Sequence, residues 1–158
     1  MLDAGTLRSG WVKVAGLLVL AACCLTTLVA GEESTLEELK ARVSSAPIGD
    51  RPHLCLKVAE RQLASATKLY QTEENEKARA ALADVIAFSE QARDASVQAR
   101  KHQKQTEITV RSMVRKLVDL KHTIPHDEQQ GVQDAIDHLE RVRDDLLLSM
   151  FPKGKGAK

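Results

Sequence analysis

Residues 127–150 read DEQQGVQDAIDHLERVRDDLLLSM, and the apolar positions Val132, Ile136, Leu139, Val142, Leu146 and Met150 recur at intervals of four, three, three, four and four. That spacing puts all six on one face of a 3.6-residue helix and leaves the charged residues on the other. The same period continues upstream. Ala78, Leu82, Val85, Ser89, Ala92, Ser96 and Ala99 form one stripe, and Val110, Val114, Leu117 and Ile124, flanked by Met113 and Leu120, form another. No Pro or Gly lies between Ala78 and Pro125, so the pattern predicts one helix over 73–124, stopped by Pro125. At about 1.5 Å per residue that helix is on the order of 75 Å long and needs different partners for its two halves. Its weak point is Lys101-His102-Gln103-Lys104-Gln105-Thr106, six polar residues in a row, with Thr106 able to cap a fresh start.

Working outward, Leu56, Ala59, Leu63, Ala66 and Tyr70 make the stripe of a helix over 51–71, with Asp50 as cap and Pro52 in the first turn. Thr72-Glu73-Glu74-Asn75-Glu76 supplies a cap residue and acids for the start of the next helix. Ser34-Thr35-Leu36-Glu37 fits the S-x-x-E capping box of a short helix that ends by Pro47, so 32–50 reads as short helix and linker. The 51–71 and 127–150 helices are expected to pack antiparallel on the first and second halves of the central one. The fold class is therefore all-α, an antiparallel helical bundle or hairpin-type assembly built on one long central helix and preceded by an N-terminal signal segment. Residues 151–158, rich in Lys and Gly, form a basic flexible tail.

Composition agrees. Aromatic residues are 3% of the 158-residue chain, against the needs of a β-sandwich or barrel. A net charge of +1 excludes a strongly basic nucleic-acid binder. Charge is nonetheless segregated: residues 100–122 are basic and residues 127–146 acidic. Lys104, Arg111, Arg115 and Lys116 are the candidate basic surface, for anionic lipid or another polyanion. The reading preferred here is that they lie beside the acids of the last helix and help to set its pairing.

At the N-terminus, Arg8 and Lys13 precede the apolar run Val14–Ala30, the layout of an export signal over 1–31. Cleavage at Val29-Ala30-Gly31 would release a periplasmic or secreted protein starting at Glu32. Leu20-Ala21-Ala22-Cys23 also fits a lipobox, in which Cys23 carries the lipid anchor, and an uncleaved run is a third reading. Membrane contact is expected only through this segment. Cys55 is the single cysteine beyond it and reads as a small buried hydrophobe.

Chemistry is sparse. The chain lacks C-x-x-C-H, H-E-x-x-H, G-x-S-x-G, a phosphate-binding glycine loop and EF-hand spacing. His122, His126 and Asp127 are the candidate metal ligands, although Pro125 interrupts their helical spacing. Met113 or Met150 with a histidine would be the axial pair of a haem bundle. Ala66, Leu69, Tyr70, Ala78, Leu82 and Val85 resemble the small-and-large pattern of one tetratricopeptide-type hairpin, but no second copy follows and Glu73-Glu74-Asn75 replaces the turn glycine. The pair is treated as a generic antiparallel hairpin. No catalytic residue and no cofactor is expected. The functional expectation is a noncatalytic helical interaction or scaffolding module of the cell envelope with protein partners and no nucleic acid; the alternative is a periplasmic metal- or haem-binding bundle.

Overall fold

The structure, a computed structural model, describes residues 27–152, with side chains from Leu36 onward. Cys23, the 1–26 part of the export signal and the 153–158 part of the tail lie outside the described residues. Among the described residues five helices follow one another: α1 (Thr27–Ser45), α2 (Arg51–Gln71), α3 (Asn75–Ala99), α4 (Gln103–Lys121) and α5 (Gln129–Met150). No strand occurs among the described residues. The chain divides into two units, residues 1–38 and 39–158, and the second holds α2–α5 with the last turns of α1.

The apolar stripes are the core. Leu56, Leu63 and Tyr70 of α2, Leu82 and Val85 of α3, Val110, Met113 and Leu117 of α4, and Val132, Leu139 and Leu146 of α5 are all buried. Cys55 is fully buried, as its apolar setting predicts. Helix α1 runs through Ser34 rather than starting at the capping box, and it ends at Ser45 ahead of Pro47.

The expected central helix is two helices. Arg100 adopts φ 52° and His102 φ 63°, both left-handed. Lys101 N–H donates to Ser96 O at 3.1 Å and Arg100 N–H to Val97 O at 3.2 Å, the paired bonds of a Schellman motif closing α3. The same motif closes α2, where Glu74 N–H donates to Leu69 O at 2.9 Å and Glu73 N–H to Tyr70 O at 3.3 Å, with Glu73 at φ 60°. Neither left-handed position is glycine. Thr72 therefore ends α2, its hydroxyl donating to the Lys68 and Leu69 carbonyls, instead of capping α3. Thr106 does not cap either: α4 begins at Gln103, and Thr106 is buried one turn in. Helix α5 starts at Gln129, two residues past the expected Asp127, after a turn in which Glu128 N–H donates to Pro125 O at 3.0 Å.

Breaking the helix lets each half find a partner and then lets the pairs find each other. Gln62 on α2 donates to Asp84 on α3, level with it across the turn, so α2 and α3 run antiparallel. Lys121 with Gln133 at 2.7 Å and Glu107 with Arg143 at 3.3 Å show the same for α4 and α5. Arg79 pairs with Glu128 and Arg93 with Asp145, so α3 and α5 are neighbours that run parallel. The result is two antiparallel hairpins, α2–α3 and α4–α5, packed side by side in the same sense. They meet chiefly through α3 and α5, and more sparsely through α2 and α4.

Two left-handed residues cost about 1–2 kcal/mol each. Burying Leu139, Leu146 and the facing half of α3 returns roughly 1.5–3 kcal/mol per large side chain, which outweighs that cost. Arg100→Gly should thus stabilise the protein by about 1 kcal/mol, raising the thermal midpoint by about 3–5 °C. In an unbroken helix the same change would lower stability by about 0.5–1 kcal/mol, so the sign of the shift in a melting curve decides between the two.

Candidate functional site

Where α2 and α4 approach, they leave an open groove of about 360 Å³. Leu63, Ala64 and Leu120 give it an apolar lining, while Glu60, Gln71, Lys116 and Asp119 supply polar and charged groups. Both walls come from amphipathic helices, so the groove lies where the buried stripe of each gives way to its polar face. From Glu60 to Gln71 the α2 wall is about 16 Å long at about 1.5 Å per residue.

Two acids are buried in the described structure. Glu107 is 6% exposed and accepts from Arg111 on its own helix at 3.1 Å and from Arg143 on α5 at 3.3 Å. Glu128 is 5% exposed and takes a bidentate grip from Arg79 of α3, at 2.7 and 3.0 Å. Tyr70 lies near this second cluster with its hydroxyl buried and without a hydrogen bond. Its burial pushes the phenol pKa up, and the Glu128 charge adds to the rise while Arg79 opposes it. Both acids were expected on solvated faces. A signal for them is present in the sequence: Glu107 stands three residues before Val110 and Glu128 four before Val132, each extending an apolar stripe by one step.

The candidate basic residues are dispersed. Arg111 is committed to Glu107, Lys116 stands at the groove, and Lys104 and Arg115 are exposed. None of the four forms an ion pair with an acid of α5 among the described residues. The pairing expected between the basic and acidic segments is replaced by Arg79–Glu128 and Arg93–Asp145 from α3. The reason is the reversal at Arg100, which brings α3 alongside α5.

His122 closes α4, His126 and Asp127 lie in the following turn, and all three are exposed. No three His, Cys, Asp or Glu side chains gather as a metal-ligand set among the described residues. Met113 is fully buried, Met150 is partly exposed, and each of the five histidines has solvent access. No helix among the described residues is long and apolar enough to cross a membrane. Comparison with family models, curated proteins and solved structures gives no match.

Two predictions follow from the buried groups. Glu107→Gln should cost about 1–3 kcal/mol in urea denaturation, because it takes a charged partner from both Arg111 and Arg143. Arg115→Gln, which breaks no ion pair, should stay within about 0.5 kcal/mol. Equal midpoints for the two would show that the cluster does not hold α4 to α5.

Burial raises the Cys55 thiol from 9.0 to about 11. The thiol keeps its proton in the folded chain over a range where the unfolded chain loses it. Its contribution is therefore complete below pH 9 and is lost as pH rises toward about 11. Stability should fall by about 2 kcal/mol across that window, and Cys55→Ala should flatten the profile. Urea midpoints measured against pH for both proteins test this.

Proposed function

We propose that this chain is a noncatalytic helical interaction module of the cell envelope, taking an apolar segment of a protein partner into the groove between α2 and α4. The groove itself carries the reading. It is concave and floored by aliphatic side chains, it has charged groups of both signs, and its wall is about as long as three turns of a partner helix. A short amphipathic helix laid there would cover Ala64 and Thr67 above the buried Leu63 and Leu120, and set its own charges against Glu60, Lys116 and Asp119. Export rests on the basic n-region and on the Val14–Ala30 run, with release of a chain starting at Glu32 or lipidation of Cys23 as its two forms. The noncatalytic part rests on the uses to which the acids are put. Glu107 and Glu128 are held by arginines inside the packing rather than offered to a substrate. The metal- or haem-binding alternative gains no support from the placement of His122, His126, Met113 and Met150.

The test is photo-crosslinking in the native host. A photoreactive residue at Thr67 should give an adduct with a single envelope protein, and Ala64→Trp, which fills the groove, should abolish it. A photoreactive residue at the exposed Arg115 should not give the same adduct. Adducts that survive Ala64→Trp would place the partner elsewhere and overturn the groove reading.

A further inference from the structure

The stripe of α3 does not lose phase where α3 ends. Ala92, Ser96, Ala99, Gln103, Thr106 and Val110 follow one another at intervals of four, three, four, three and four, and the same alternation runs back to Ala78 and on to Ile124. Two helices joined by a reversal are free to change phase between them. An alternation kept in step across the join is what one continuous helix needs to hold a single seam on one side.

The junction also lacks the residues that stop and start helices. Arg100 and His102 are left-handed without being glycine, a conformation that is costly for a residue with a Cβ. His102, at the N-cap of α4, makes no side-chain capping bond, and the first turn holds no acid, while Lys104 there opposes the helix dipole. Gln98, Ala99, Arg100, Lys101, Gln103 and Lys104 are all strong helix formers. The α3–α4 turn therefore folds against its local preference, whereas the α4–α5 turn, with Pro125 in it, cannot straighten. Straightening at 100–102 would part the two hairpins and leave each one whole. The Gln62–Asp84 bond lies within the first and the Glu107–Arg143 pair within the second. The contacts given up are those between hairpins, Arg79–Glu128 and Arg93–Asp145 among them.

We infer that the surface between the hairpins also serves a second copy of this chain, with which it exchanges hairpins. In that pair Asn75–Lys121 is one helix of about 70 Å, at about 1.5 Å per residue, and the α2–α3 hairpin of each copy packs on the α4–α5 hairpin of the other. A two-fold axis restores every contact between hairpins, now between chains, and both left-handed residues of each chain become helical. Association is set by concentration against the preference for the turn, and a short hinge that resists its own sequence favours exchange. The inference does not rest on the interaction reading of the groove. In the exchanged pair each groove would take its α2 wall from one chain and its α4 wall from the other.

The test mixes full chains of two isotopic masses in a mild detergent common to all samples. The light chain carries a photoreactive residue in place of Glu90 on α3, which lies 3.8 Å from His138 on α5. Both chains are unfolded, refolded together at low and at high concentration, and separated into monomer and dimer before illumination. In the monomer, crosslinks from position 90 should reach α5 of the light chain alone. In the dimer they should also reach α5 of the heavy chain. Arg100→Gly/His102→Gly should weaken the dimer at least about a hundredfold, because both turns in the pair become easier to close. Arg100→Ala/His102→Ala should strengthen it about tenfold, since alanine favours the helix and keeps the cost of the turn. Arg115→Gln should change nothing. A dimer in which position 90 reaches only the light α5 is a side-by-side association and overturns the inference, as does a glycine variant that pairs as tightly as the parent. A parent and an alanine variant that both stay monomeric at every concentration overturn it as well. The substituted side chains at 100 and 102 are exposed, and melting curves confirm that each variant folds.

Discussion

The reversal of the chain at Arg100–His102 is the constraint on which the remaining architecture depends. Without it, α3 and α4 would be one rod, and α5 would have only the second half of that rod to pack against. With it, α3 is brought alongside α5, and the hairpins α2–α3 and α4–α5 share a core. Two non-glycine residues are held left-handed to achieve this. The arrangement persists because the apolar surface covered when the hairpins join is worth several times that local cost.

Placing α3 beside α5 also redistributes charge. Parallel neighbours bring residues at similar distances from their helix starts level with one another, so Arg79 meets Glu128 and Arg93 meets Asp145. Glu107 and Arg143 do the corresponding work between α4 and α5. Because Glu107 and Glu128 are buried, each specifies which helix lies where as well as how strongly it is held: a slipped register would leave a carboxylate without its arginines, at a cost of several kcal/mol. The arginines, being partly exposed, keep some solvation and lessen the penalty of burial.

The same packing leaves an open groove between the hairpins. Where the hairpins meet sparsely, α2 and α4 stay far enough apart to leave the aliphatic groove.

The all-helical class, the stripes over 51–71, 78–99, 110–124 and 132–146, the burial of Cys55 and the stop at Pro125 were legible in the sequence. They follow from periodicity, proline geometry and side-chain type, which act within a few residues. The break at 100–102 was legible only as the polar weak point at 101–106: helix ends are commonly recognised by glycine, and Arg100 and Glu73 take the left-handed conformation without it. Thr72 and Thr106 look alike as caps in a linear reading, yet one ends α2 and the other is enclosed by the core. The candidate groove depended on the same turn. Lys116 reached the groove once α3 and α4 separated, whereas Arg111 pairs with Glu107 within α4 itself. A local pattern records which face of a helix is buried. Which helix covers that face is settled by chain reversal and the joint burial of stripes far apart in sequence, and only the tertiary structure contains that information.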